Sequence, residues 1–224
     1  MMDLGPIILS LKLAVITSTI LLLLAIPIAH WITYSTSRWR PIVQTLVAMP
    51  MVLPPTVLGF YLLLLFSPNY PLGHFLEEHL GIRLVFSFGG LIIASLIYSL
   101  PFMVQPIQSG LQNLPVSLRE ASLAMGKSKF VTLQKVLLPS IRSSILTGVV
   151  LSFAGIIGEF GVVLMIGGNI PDKTRVASIA IYDEVEALNY ANANSYALIL
   201  ILITFLILLL LYYFNGNFLK DLVR

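Results

Sequence analysis

Glu120-Ala121-Ser122-Leu123-Ala124-Met125-Gly126, continuing through a basic run to Val136-Leu137-Leu138-Pro139, is lodged between apolar runs in a chain that is otherwise nearly all hydrophobic. Its placement marks it as a docking element for something outside the bilayer. The surrounding composition fixes the class. Hydrophobic residues make up 58% and charged residues 10%, with a mean hydropathy of +0.95, whereas a soluble domain carries roughly a quarter charged residues. Long apolar runs exclude a β-barrel, whose strands alternate over about ten residues, and a backbone in hydrocarbon must satisfy itself as helix. The expected fold is an all-α integral membrane bundle. With no cysteine, disulfides, thiolate metal sites and Cys-based catalysis are excluded together.

Working outward, five segments approach the roughly 20 apolar residues a span requires: about 7–34, 42–66, 88–104, 145–166 and 196–214. Lys12 before an apolar run imitates a signal peptide, but the run is too long and leads through Arg38 and Arg40 into another span, so it is expected to stay. Of the 13 Lys and Arg, Arg38, Arg40, Arg119, Lys127, Lys129, Lys135, Arg142, Lys220 and Arg224 fall on one side of this topology. Only Lys12, Arg83, Lys173 and Arg175 fall on the other. The excess places the N-terminus outside and the C-terminus in the cytoplasm. Residues 1–224 form a single transmembrane domain, and 106–142 a cytoplasmic segment within it.

In that segment Pro115 breaks the preceding helix, and Ser117-Leu118-Arg119-Glu120 predicts a capping box opening a short helix from about Val116 to Met125. Gly126 permits a turn, a second helical stretch carries Phe130, Leu133 and Val136 to Leu138, and Pro139 begins the next membrane-directed segment. Gly126-Lys127-Ser128 imitates the end of a phosphate-binding loop. It fails as one: the required glycine five residues earlier is Ala121, and a helix is predicted where a strand is needed. No other Gly-rich phosphate loop is present, so ATP-driven work requires a partner chain.

The pattern Glu120-Ala121-Ser122, Gly126, Val136, Leu138-Pro139 resembles the EAA motif of the membrane subunits of ATP-binding-cassette importers, with Ser122 where a second alanine is usual. The resemblance implies a type I importer permease fold, with this helix coupling the bundle to a separate ATPase through Glu120, Ala121, Ser122 and Gly126. The rest of the chain looks like the permeases of molybdate importers. The similarity is carried by Met49-Pro50-Met51-Val52-Leu53-Pro54-Pro55-Thr56-Val57-Leu58-Gly59, by Gly158-Glu159-Phe160-Gly161, by Gly168-Asn169-Ile170-Pro171, and by Ile181-Tyr182-Asp183-Glu184-Val185-Glu186-Ala187-Leu188. Sulfate and tungstate importers share the second and third of these, and remain the alternative substrates. The resemblance implies two ATPase copies that bind ATP and magnesium, no cofactor in this chain, an external oxyanion-binding protein, a homodimer of this chain in the inner membrane, and no nucleic-acid partner.

The residues themselves add detail. Pro50, Pro54 and Pro55 remove donors inside the second span and must kink or interrupt it, as a pathway bend or as a fixed packing kink. Pro101 and Pro106 pose the same choice in the third. In the fourth, helical spacing places Gly148, Ser152, Gly155 and Glu159 on one small or polar stripe, expected to face the bundle interior. Gly155, Glu159, Phe160 and Pro54 are the candidate pathway or gate residues. A carboxylate repels a dianion, so gating or structure suits Glu159 better than coordination. The middle of every span lacks Arg and Lys, and selection is therefore expected in a separate binding protein. Lys173 and Arg175 are candidate contacts for that protein, beside an apolar helix face of Val176, Ile179, Ala180 and Leu188. No catalytic group is expected, because His30, His74 and His79 are scattered and Glu159 has no evident intramembrane partner. A stand-alone channel or ion-coupled transporter would not need the EAA element.

Overall fold

A computed structural model of the chain describes residues 3–214. Lys220 and Arg224, two of the charges used for orientation, lie outside the described residues. Among the described residues three helices are long and apolar enough to cross a bilayer unbroken: α1 (Gly5–Tyr34), α5 (Phe88–Gln112) and the greater part of α12 (Tyr190–Phe214).

The heart of the bundle is α1, α5 and α9 (Arg142–Gly158), with α5 packed against both others. Their contact is close because the facing residues are small. On α1 the buried positions include Ala14, Ser18, Ala25 and Ala29, in two pairs four residues apart, the spacing that lets helix backbones approach in lipid. Gly148 of α9 is required by that approach, since an added Cβ would lie 3.1 Å from the Met103 carbonyl oxygen of α5. Leu13, Leu21, Ile32, Leu91, Met103 and Ile107 fill the remaining space and are almost wholly buried. By contrast α12 is 11% buried across its most apolar window and presents its leucines outward, as a lipid-facing helix does. Pro101 and Pro106 do not interrupt α5, which continues to Gln112. The polar segment expected from residue 106 therefore begins after residue 112.

The second predicted span is broken. α2 (Arg40–Val52) and α3 (Pro55–Phe66) meet at an angle of 114°. Leu53 and Pro54 between them are extended, because a residue before proline is driven out of the helical region and two prolines follow in succession. At about 1.5 Å per residue neither half crosses a ~30 Å core.

The fourth span also departs from expectation. α9 ends at Gly158, Glu159 turns extended, and a separate short helix, α10 (Gly161–Gly167), follows. The two half-helices α3 and α10 pack on each other through glycine. A Cβ on Gly59 would come within 2.9 Å of Met165 Cβ, and one on Gly161 within 3.0 Å of Pro55 Cβ. The two breaks thus lie side by side.

Three short elements complete the scaffold. α4 (Pro71–Leu80) caps the α3 end, while α11 (Ala177–Glu186) packs on α12 and α1. At the opposite end α6 (Val116–Ala124) and α7 (Lys129–Thr132) form a hairpin. α7 continues through a π-helical turn (Leu133–Leu137) into α8 (Leu138–Ser140), and the chain then bends by 77° into α9. Pro139 has no N–H and its ring crowds the carbonyl four residues back, so the ladder lengthens and the Leu138 N–H reaches the Leu133 carbonyl.

Candidate functional site

The hairpin is built from its two ends. Pro115, with ψ of 133°, stands as the residue before α6, and its carbonyl accepts from Leu118 N–H. The helix thereby starts too early for Ser117 to cap it. The expected capping box does not form, and no side chain caps α6. Gly126 makes the turn with φ of +74°, a conformation that costs an L residue about 1–2 kcal/mol. Ser128 is the true cap: its Oγ accepts from Val131 N–H at 3.2 Å and starts α7. The Gly-Lys-Ser sequence that imitates a phosphate loop is thus a turn followed by a helix cap.

Glu120, Ala121 and Gly126 are exposed on this hairpin, with the apolar side chains of Val116, Met125 and Phe130 outward beside them. Ser122 differs. It is 2% exposed, and its hydroxyl hydrogen-bonds the buried Thr132 hydroxyl at 2.9 Å, clamping α6 to α7. The other three residues stay open to solvent, and the Ser122–Thr132 bond holds the helix that carries Glu120 and Ala121 in place. The hairpin reaches the spans through Arg119, whose guanidinium stacks 4.6 Å from the Tyr34 ring centre at the end of α1. The His30 ring also packs against Tyr34, with ring centres 5.0 Å apart. Nothing in the spacing of residues 34 and 119 signals this contact.

At the paired breaks, Glu159 is 3% exposed. Because the helix ends before it, it leaves the stripe predicted for Gly148, Ser152 and Gly155. Its Oε1 accepts from Val162 N–H at 2.8 Å and so completes the first turn of α10. The Tyr98 hydroxyl of α5 approaches the same carboxylate, and Ser178 of α11 donates to the Glu159 carbonyl at 2.6 Å. Glu159 therefore does have intramembrane partners. Phe160 stacks on Tyr182 of α11 with ring centres 5.0 Å apart. Gly155 has room around it, the nearest neighbour of an added Cβ being the Phe102 ring at 3.8 Å. Pro54 is exposed at the other break.

Two of the signature runs come together beyond this point. Asn169 Nδ2 donates to both Asp183 oxygens, at 3.0 and 2.9 Å, and Arg175 pairs with Asp183 at 3.0 Å, all largely shielded from solvent. The Thr174 hydroxyl donates to the Gly167 carbonyl and accepts from Ile170 N–H. These bonds hold a loop in which Asn169 and Asp172 have φ near +60°, a region that Asn and Asp tolerate better than most residues. Arg175, a candidate contact for the binding protein, is engaged by Asp183 in this lock, whereas Lys173 stays exposed. Val176, Ile179 and Ala180 are buried against the bundle and offer no docking face, and Leu188 points away from them. Among the described residues no cluster of metal-ligating side chains occurs.

An α-helical membrane bundle with two broken spans and a hairpin projecting at one end has the architecture of a type I importer permease. The family model described as binding-protein-dependent transport system inner membrane component matches residues 8–224, and the chain belongs to that family. Members are membrane subunits of transport systems, not enzymes. The molybdenum transport system permease protein ModB of Azotobacter vinelandii is 45% identical over 86% of this chain and 85% of its own length. The putative molybdenum transport system permease YvgM of Bacillus subtilis is 29% identical over 82% of this chain and 81% of its own. The sulfate permease CysT of Salmonella typhimurium is 34% identical over 71% and 57%. The MetNI methionine ABC transporter, solved in inward facing conformations, shares the fold with a TM-score of 0.75 over 95% of this chain and 94% of that one, at 15% identity.

Proposed function

We propose that this chain is the membrane subunit of an ATP-driven importer that carries molybdate inward by alternating access. The observation that carries the reading is the 45% identity to a molybdenum permease spread over nearly the full length of both chains. The fold agrees with it, because the exposed hairpin of Glu120, Ala121 and Gly126 provides one contact for one ATPase subunit. ATPase subunits of this class work in pairs, so two copies of this chain with two ATPases form the core, and ATP and magnesium are held by those partners. The N-terminus faces outside and the hairpin the cytoplasm, following the excess of Lys and Arg around it. An external binding protein selects the oxyanion and delivers it at the α4 and α11 end, where Lys173 is exposed.

ATP binding draws the two hairpins together. Arg119 and Tyr34 pass that movement to α1, and the glycine-packed pair α3 and α10 moves as one body at the gate. Glu159 keeps α10 folded while this happens. The cycle requires ATP and substrate to favour different conformations, since equal affinity for both shifts nothing.

Uptake of labelled molybdate into proteoliposomes holding the permease, its ATPase and its binding protein tests this. ATP-dependent uptake that excess sulfate barely reduces supports the reading. Strong sulfate competition would move the substrate to sulfate, and uptake without the ATPase would overturn the importer mechanism.

A further inference from the structure

Between α2 and α5, at the hairpin end of the bundle, lies a cleft of about 230 Å³ lined by Gln44, Val47, Ala48, Gln105, Gln108, Ser109 and Gln112. At about 30 Å³ per water it has room for roughly seven water molecules, hence for a small polyatomic ion with part of its hydration. The lining is unusual for a helix pair in an apolar chain. On α5 the polar residues stand at i, i+3, i+4 and i+7, so they form one continuous face, and Gln44 meets them from α2. Gln108 is 8% exposed. No hydrogen bond to another described residue engages any of the four glutamine amides. Polar side chains on membrane helices ordinarily serve as glue between helices or line a path; here Gln108 is enclosed, while Gln44, Gln105, Ser109 and Gln112 are exposed at the cleft mouth. Glue would show as an amide bonded across the α2–α5 interface, and none is present.

The cleft also adjoins a second groove. The α2 stripe of Pro41, Gln44, Thr45, Ala48, Met49 and Val52 borders a second, mostly apolar groove that shares Gln44 and Ala48 with it. That groove runs up to Val52, next to the Leu53-Pro54 break. The exposed face of α2 therefore connects the Leu53-Pro54 break with a cluster of neutral N–H and O–H donors at the hairpin end of the bundle.

We infer that this cleft is a transit site for a tetrahedral oxyanion, in which the amide groups of Gln44, Gln105, Gln108 and Gln112 and the Ser109 hydroxyl replace part of the ion's water. The inference rests on the oxyanion-importer reading. Neutral donors suit the task. Each amide N–H bonds an anionic oxygen directly, and the absence of a fixed cation lets the ion leave, as conduction demands sites strong enough to enter and weak enough to vacate. Gln108, the most enclosed, is the central donor.

The test uses the complete transporter in proteoliposomes with molybdate as probe. The Gln105→Met/Gln108→Met double variant keeps side-chain length and removes the donors. It is expected to retain ATP hydrolysis stimulated by the loaded binding protein while uptake falls about tenfold or more, and Gln108→Glu, which adds a like charge at equal size, is expected to fall further. Uptake within about twofold of wild type in both variants would overturn the site. Should the double variant lose hydrolysis as well, Gln108→Arg decides. A cation there converts a passing site into a trap, so the detergent-purified complex retains molybdate on a desalting column where wild type does not, and absence of retention would overturn the proposal. A wild-type transporter that imports sulfate instead of molybdate would refute the substrate reading alone, and the same variants read with sulfate would then judge the cleft.

Discussion

The two polar ends of the molecule solve opposite problems. The α6–α7 hairpin keeps its most characteristic residues, Glu120, Ala121 and Gly126, in solvent and hides Ser122 with its partner Thr132. The loop from α10 to α11 does the reverse: Asn169, Thr174, Arg175 and Asp183 turn inward onto one another. Both runs are signatures when read as sequence, yet one is exposed to solvent and the other is a lock of mutually bonded side chains. A charged motif is therefore interpretable only once its partners are known.

The largest expected effect separates the two ends by function. Glu120→Lys reverses a charge on the proposed docking face, where like-charge juxtaposition costs several kcal/mol, and should lower coupled uptake by about tenfold or more. Being exposed, it should leave thermal stability of the detergent-purified chain within ~0.5 kcal/mol. A fall in stability equal to the fall in transport would erase the distinction. Next, Asp183→Ala strands Arg175 and Asn169 in a shielded setting and should destabilise by about 2 kcal/mol, read as a lowered unfolding midpoint. An unchanged midpoint would show that the lock is a surface feature after all. Ser122→Ala removes one buried hydroxyl bond and should cost about 1 kcal/mol, loosening the hairpin with Glu120 intact; thermal melts and uptake measured together show whether a poorly clamped hairpin still couples.

The smallest effect concerns pH. The hydrogen bond to Glu186, reinforced by that carboxylate's charge, raises the Tyr182 phenol above its ordinary value of 10.0. Its contribution is complete below that value and is lost as pH climbs through the raised one, because the folded state holds the proton longer. Melts at increasing alkaline pH should show a slight decline that Tyr182→Phe removes.

Much of this was legible beforehand, and the exceptions share a cause. Apolar runs located the spans, and consecutive prolines at Pro54 and Pro55 announced the first break. The second, at Glu159, has no proline and sits within an apolar run, so the sequence pattern carries the helix straight through it. Pro101 and Pro106 carried the same local signal as Pro54, but α5 is packed by α1, α2, α9 and α10 and tertiary contact holds it together. Helix caps depend on a single register, so Ser117 was plausible and Ser128 correct. The pairing of Arg175 with Asp183, and the stacking of Arg119 on Tyr34, join residues that no short-range pattern relates.

Ser10, near the start of α1, accepts a hydrogen bond at 2.8 Å from the backbone of Ala177, a residue 167 positions later, and Tyr196 donates at 2.7 Å to the carbonyl of Asp3. At translation rates of roughly 5–20 residues per second, α1 waits about 10–30 s for these partners to be made. During biogenesis α1 must then be held by lipid, by insertion machinery or by provisional contacts with α2, and the bundle closes only when its last third arrives. Truncation late in the gene would for that reason disturb the earliest helix, leaving an inserted but unlatched intermediate exposed to membrane quality control.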